Sequence, residues 1–214
     1  MKKLIFSLSS IGLTYTLPLL DVLELLLEIP ILTVISGIVI LLSSQPRFSI
    51  RQAKDQHESD QYSIYKIQFA AFLGQFLSVL EWRFRVLPAN ESTVPFLFWV
   101  GLFFLIVGLA IRIWSIRVLG KYFSSVVLVK PDHQLVQSGL YAWIRHPSYL
   151  GACMALGGCM LTLQASYSFV LGSIALIWAY YHRILAEELT LQQKLGLIYL
   201  QYQSSTYRLF PFIW

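Results

Sequence analysis

The sequence predicts an all-α fold, a polytopic membrane bundle of five to six transmembrane helices. Of its 214 residues 57% are hydrophobic and only 13% are charged, and the mean hydropathy is +0.64, well outside the usage of soluble globular chains. The apolar residues are gathered into runs, and a run of about 20 matches the hydrocarbon thickness of a bilayer. These runs lack the two-residue alternation that a closed barrel demands. Helices, which satisfy their own backbone hydrogen bonds in lipid, are the remaining solution.

Six apolar segments can be read in order. The first, Leu4 to Leu20, follows Lys2 and Lys3 in the manner of a secretory signal, but Asp21, Glu24 and Glu28 come next instead of a small-residue cleavage pattern, so it is read as a span. Leu25 to Leu42 is short and carries Pro30, while Ile64 to Leu87 and Pro95 to Ile116 are full-length candidates. Tyr149 to Leu163 is again short and holds Gly157 and Gly158, so the second and fifth segments are expected to tilt, break or pack internally. A tight hairpin at Gln164 to Ser166 leads into the last segment, Tyr167 to Leu185. With no internal repeat or low-complexity tract, one compact domain is expected, in which residues 1–94 supply three scaffold spans and residues 95–214 the rest.

Lys and Arg set the predicted topology. They occur at the N-terminus, at Arg47, Arg51 and Lys54, between Arg112 and Arg145, and in the tail at Arg183, Lys194 and Arg208, whereas the turn over residues 19–28 has none. By the positive-inside rule, a multi-pass chain with both termini and the two long basic connections in the cytoplasm follows. Arg83 and Arg85, beside Trp82 at the predicted outer end of the third span, are read as snorkelling to the interface. The net charge of +5 is scattered and forms no single basic face, which argues against nucleic acid and leaves membrane lipids as the surroundings. Cys153 and Cys159 share one apolar stretch at a spacing that suits neither zinc nor a disulfide framework, so they read as small buried residues. The polar mix at residues 51–61 reads as a solvated loop, and no G-x-G-x-x-G phosphate cradle is present.

Chemistry is expected after residue 118, where polar and aromatic residues crowd the membrane boundary. The stretch from Asp132 to Gly151 is too polar for a span and too apolar for a free loop. Gly139 permits a turn, and Pro147 suits the first turn of a helix while biasing His146 toward an extended backbone. Arg145, His146 and Tyr149 then sit at the cytoplasmic mouth of the fifth span, near the unsatisfied amides of a helix N-terminus. The second cluster, Tyr180 to Glu188, lies where the sixth span leaves the membrane, with Arg183 and Glu187 at i and i+4 on one face. The hairpin returns both far ends to the same side, so the two clusters meet. On spacing alone, Arg183 and Glu187 read first as an interfacial ion pair, and Arg145 and His146 as lipid-phosphate ligands or snorkelling groups. His133, His146 and His182 lack a helical spacing or a third carboxylate ligand, so no metal is expected.

The run S-G-L-Y-A-W-I-R-H-P-S-Y-L-G ending at Gly151 closely resembles the R-H-P-x-Y-x-G segment of isoprenylcysteine carboxyl methyltransferases. A second block of that family, an Arg followed by Glu-Glu and then G-x-x-Y-x-x-Y, resembles Arg183, Glu187, Glu188, Gly196, Tyr199 and Tyr202, and Phe210-Pro211-Phe212-Ile213 is similar to its C-terminal end. Over roughly residues 118–214 the chain thus resembles a compact, prokaryotic-type member of these integral-membrane enzymes. The resemblance implies a cytoplasmic-side pocket for S-adenosyl-L-methionine, built by the C-terminal half and closed by the C-terminal segment, with a lipophilic or prenylated acceptor entering from the bilayer. Carried over by motif, His133, Gln134, Leu135, Val136, Tyr141, His146, Ser148, Tyr149 and Glu187 line the cofactor site. Arg183 faces the acceptor carboxylate, and Arg145 and Glu188 complete the catalytic candidates.

Methyl transfer from a sulfonium needs a nucleophile in line with the S–CH3 bond, so positioning and exclusion of water can carry it. A carboxylate acceptor is already ionised at neutral pH and can be held by a charge-assisted bidentate contact from Arg183. A thiol or amine acceptor needs a base, for which Glu188, His182 and His146 are the candidates. The expected activity is methylation of the carboxylate of a membrane-embedded, isoprenylcysteine-like substrate. The alternatives are a membrane methyltransferase for a thiol, a phospholipid amine or another small amphiphile, a double-bond reductase, and a non-catalytic lipid-binding protein.

Overall fold

The structure, a computed structural model, describes residues 11–45, 63–86, 96–123 and 135–210. The α-helices among these residues are α1 (Ile29–Ser43), α2 (Ser63–Val86), α3 (Phe96–Leu119), α4 (Pro147–Thr162), α5 (Ser166–Leu195) and α6 (Leu197–Ser205). Three stretches, Ser63–Arg85, Phe96–Tyr122 and Ser166–Leu195, are long and apolar enough to cross a membrane, and the chain is an integral membrane protein. They correspond to the third, fourth and sixth apolar segments, with α5 continuing to Leu195 beyond the expected Leu185.

The first segment departs from the regular helix expected over Leu4 to Leu20. Within its described part, Gly12–Thr16 is π-helical and Leu17–Leu19 is a 3-10 turn. Pro18 has no N–H to give to the preceding turn, and its ring crowds the carbonyl four residues back. The Leu17 N–H reaches back to the Gly12 carbonyl instead. Arg83 Nη1 donates to the Pro18 carbonyl at 2.7 Å and the same guanidinium pairs with Asp21, so the end of α2 is tied to the broken segment. Arg85 pairs with Glu81 one turn earlier at 3.3 Å. The second segment also starts late: Leu23–Leu27 is a 3-10 turn, and α1 begins at Ile29 with Pro30 in its first turn, where a missing N–H costs nothing.

Helices α3 and α4 run antiparallel in backbone contact. A Cβ placed on Gly101 would lie 2.2 Å from the Thr162 amide nitrogen, one on Gly158 2.4 Å from that of Leu105, and one on Gly108 2.4 Å from that of Ala155. Lipid tails are as apolar as leucine, so helices in a bilayer associate through close packing, and small residues allow it. Helices α2 and α5 are also antiparallel, with Gly74 facing Gly172 and the Met160 methyl group filling the space beside both. At the far end, Glu81 of α2 accepts from the Ser168 amide at 2.8 Å and the Tyr167 amide at 3.2 Å. A carboxylate from a neighbouring helix thus caps the N-terminus of α5, where the helix dipole favours negative charge.

One buried polar chain crosses the bundle. Tyr15 donates to Gln75 Oε1 at 3.2 Å, and Gln75 Nε2 donates to the Leu156 carbonyl at 2.9 Å, linking the N-terminal segment, α2 and α4. The α4–α5 hairpin turns at Leu163 to Ala165, with Gln164 at φ 56°. From this shared turn, the 16 residues of α4 rise about 24 Å and the 30 residues of α5 about 45 Å. The first turn of α4 therefore lies beside Tyr180 and Arg183, and the last turns of α5 extend past it to meet the segment before Pro147 and α6.

Candidate active site

The site is assembled at the step between the short α4 and the long α5. Gly139, at φ +61°, starts a 3-10 turn over Gly139–Ala142, after which the chain extends to His146 and Pro147 opens α4. Gly196, at φ 58° and ψ −131°, lies in a region open essentially to glycine and turns the chain sharply from α5 into α6. The residues after α6 then return as a strap. Arg145 N–H donates to the Tyr207 carbonyl at 2.8 Å, His146 N–H to that of Arg208 at 3.0 Å, and Tyr207 N–H to that of Trp143 at 3.0 Å. Leu209 of the strap is fully buried.

Two adjacent glutamates on α5 enter different environments, because neighbouring residues on a helix point about 100° apart. Glu187 keeps 31% of its side chain accessible. It accepts from Tyr149 Oη at 2.6 Å, and Tyr149 in turn accepts from Arg183 Nε at 3.3 Å. Arg183 Nη1 also donates to Ser63 Oγ at 3.2 Å. The His146 and Tyr149 rings lie parallel with centroids 5.4 Å apart, and Tyr180 packs against Tyr149 at 5.0 Å.

Glu188, by contrast, is enclosed. Its Oε1 accepts from Arg145 Nε at 2.7 Å and faces His146 Nε2 at 3.4 Å, while Oε2 accepts from Arg208 Nε at 2.9 Å. Arg145 Nη1 spends its remaining reach on the Gln203 carbonyl at 3.1 Å and on Thr206. This hub joins the mouth of α4, the end of α5 and the strap. His146 sits between the two carboxylates, with Nδ1 3.8 Å from Glu187 Oε2.

The phenols around the strap are held neutral. Burial, and then the charge of Glu187, pushes Tyr141 far above its usual range, and Tyr199 is raised by burial and then by Glu188. Tyr202, raised chiefly by burial, donates to the Tyr141 carbonyl at 2.6 Å.

The structure therefore brings Arg183, Arg145, Glu188, Tyr141, His146, Ser148, Tyr149 and Glu187 to one end of the bundle. Leu135 and Val136 are half-buried at the start of the segment leading there. His133 and Gln134 lie outside the described residues. His182 turns away and packs its ring against Trp178.

Three residues of the site were not singled out from sequence. Arg112 was read only for topology, yet it is buried in α3, where Nη1 donates to both Ser148 O and Ser148 Oγ at 2.9 Å and its Nε has no hydrogen-bond partner among the described residues. An arginine inside a long apolar run is itself a signal, because such a charge is costly in lipid. Arg208 was counted only as a tail charge. Ser63, one serine at the start of a span, carried no signal at all.

The model of the isoprenylcysteine carboxyl methyltransferase family matches residues 99–193. The protein-S-isoprenylcysteine O-methyltransferase of Saccharomyces cerevisiae is 34% identical over 169 residues, covering 78% of this chain and 67% of that protein. Protein-S-isoprenylcysteine O-methyltransferase A of Arabidopsis thaliana is 32% identical over 149 residues, 66% of this chain and 73% of that one. In fold, the chain is similar to the eukaryotic intramembrane Ras methyltransferase ICMT, with a TM-score of 0.57, 23% identity, and coverage of 95% of this chain and 74% of the other.

Proposed function

The chain belongs to the isoprenylcysteine carboxyl methyltransferase family, and from this we infer that it is a membrane methyltransferase that moves a methyl group from S-adenosyl-L-methionine to the carboxylate of an isoprenylcysteine-like lipid. The observation that carries the reading is the pairing of Arg183 with Glu187 through Tyr149, a fixed cation and a partly open anion one hydroxyl apart.

The residues fit such a cofactor. Its cationic parts would find the accessible Glu187 carboxylate and the stacked faces of His146 and Tyr149. Tyr141 and Ser148 flank these groups, and Leu135 and Val136 supply apolar lining. The cofactor contributes a methyl group on a sulfonium, activated without any help from a metal. Arg183 orients the acceptor carboxylate, and Arg112, a second buried cation hydrogen-bonded to Ser148, adds to the positive field that favours an anionic acceptor.

Glu188 has both oxygens engaged by guanidinium groups, so it is a poor general base. This favours the acceptor that needs none, a carboxylate, over a thiol or an amine. Arg145 and Glu188 hold the strap and thereby the pocket, without touching the reacting atoms. With the basic connections on the cytoplasmic side, the cofactor site and both termini face the cytoplasm, and the acceptor carboxylate is received at the boundary between hydrocarbon and headgroups.

Calorimetric titration of detergent-purified protein with S-adenosylhomocysteine tests the cofactor half. Saturable binding is expected, weakened by Tyr149→Ala and Glu187→Ala while folding is retained. Product chemistry tests the other half: a carboxyl methyl ester releases methanol in mild base, and an S- or N-methyl product does not. A base-stable product would replace the carboxylate acceptor with a thiol or amine, and absence of any binding by folded wild type would sink the cofactor assignment.

A further inference from the structure

Tyr180 of α5 packs its ring against Tyr149 at 5.0 Å and keeps only 5% of its surface accessible. Packing accounts for the ring and leaves the hydroxyl unexplained, because a phenylalanine would fill the same space. That hydroxyl makes no hydrogen bond among the described residues. Buried hydroxyls are normally paired, so one without a partner from the protein points to a partner that arrives from outside it.

Position along α5 indicates which partner. Tyr180, Arg183 and Glu187 stand at i, i+3 and i+7 and share one helix face. The helix starts at the hairpin and runs toward the site, so Tyr180 lies about 4.5 Å further into the bundle than Arg183 and about 10 Å further than Glu187. Glu187 belongs to the cofactor side, whereas an acceptor entering from the bilayer comes to Arg183 from the hydrocarbon, where Tyr180 stands. The charges acting on the Tyr180 hydroxyl are of one sign, those of the buried Arg112 and Arg183. A guanidinium cannot accept a hydrogen bond, and the Cys153 thiol, the other polar group acting on the phenol, is a weak acceptor. A lone donor between two cations is satisfied best by an anion.

We propose that Tyr180 is a binding residue for the acceptor: its hydroxyl donates to the acceptor carboxylate that Arg183 holds by charge. The inference rests on the carboxylate-acceptor reading above. A phenol adds direction to the contact without burying a further charge, and a hydrogen bond to an ionised oxygen is about twice as strong as one to a neutral carbonyl. Tyr180 therefore separates an acid from an ester, the substrate from its product.

The test uses the full chain in detergent, saturated with S-adenosylhomocysteine, so that an N-acylated isoprenylcysteine binds without turnover. The affinities of this free acid and of its methyl ester are compared in wild type, Tyr180→Phe and Tyr180→Met. Both variants lack the hydroxyl, and only phenylalanine keeps a ring against Tyr149. Each is expected to weaken the acid about tenfold and the ester by less, and Tyr180→Phe should leave the affinity for S-adenosylhomocysteine unchanged. In turnover, Tyr180→Phe should raise the acceptor KM far more than it lowers kcat. A preference for the acid that Tyr180→Phe retains in full would overturn the role given to Tyr180 and return it to packing, whatever Tyr180→Met does. A fall in S-adenosylhomocysteine affinity as large as that for the acid would overturn it too, by placing the hydroxyl on the cofactor. If wild type binds the ester as tightly as the acid, the carboxylate reading falls and this inference with it; if wild type prefers the acid and Tyr180→Phe does so equally, only the present inference falls.

Discussion

Arg183, Tyr149 and Glu187 form a relay in which one phenol accepts from a guanidinium and donates to a carboxylate. Hydrogen bonds to charged groups contribute about 1.5–3 kcal/mol each, so Tyr149→Phe should lower kcat/KM by roughly 10- to 100-fold. Its ring stays in place, so thermal unfolding should shift by only a few degrees. A loss of activity that merely tracks a large fall in melting temperature would assign Tyr149 to packing. Arg112 makes the opposite trade. A buried guanidinium costs several kcal/mol of desolvation, and here the Nε has no hydrogen-bond partner among the described residues. Arg112→Met should therefore be as stable as wild type or more stable in a detergent melt, while turnover with an anionic acceptor falls. A protein that loses both together would make Arg112 structural.

At the scale of elements, the strap after α6 depends on the Glu188 hub and on backbone bonds to the segment before Pro147. Glu188→Gln leaves two guanidinium groups facing a neutral amide, and breaking a buried pair in this way costs about 3–5 kcal/mol. The expected result is weaker retention of S-adenosylhomocysteine together with faster proteolysis around Thr206 and Tyr207, with α2 to α4 still protected. Alkali should act on the same element. Tyr141, Tyr199 and Tyr202 have raised pKa values in the fold, so their contribution is complete below the ordinary phenol pKa of about 10 and is lost as pH rises through the folded value. Opening of the strap, followed by limited proteolysis, should therefore increase above about pH 10. Tyr202→Phe, which cannot ionise and no longer donates to the Tyr141 carbonyl, should start more open and respond less to alkali.

For the whole molecule, the site exists because a short helix and a long one share a hairpin while glycine contacts hold α3 against α4. Gly158→Leu would drive a side chain into the Leu105 backbone, where even a Cβ would lie 2.4 Å from the amide nitrogen. Overpacking of a well-filled core typically costs about 1–3 kcal/mol, and backbone on the receiving side cannot swing away as a flexible side chain can. The variant should fail to give monodisperse protein in detergent, whereas Gly157→Ala, whose nearest neighbour is the Phe169 ring edge at 3.2 Å, should purify normally.

The sequence alone determined the all-α membrane character, the positions of the long spans, and the meeting of the Arg145–Tyr149 and Arg183–Glu188 clusters, because hydropathy, span length and a tight hairpin are local properties of the chain. It also placed Tyr149, His146 and Glu187 on helix ends that face one another. Tertiary structure decided the rest. Glu187 and Glu188 are neighbours of the same chemistry, and it is the meeting of Arg145, His146 and Arg208 around Glu188 that encloses one and leaves the other accessible. The break at Pro18 is readable as a proline, but the bond from Arg83 to its carbonyl depends on how α2 ends beside it. Ser63 and Arg112 reach the site from helices 120 and 36 residues away from their partners. Hydrogen bonds across such separations are set by which helix faces pack together, and no pattern within a single helix specifies that.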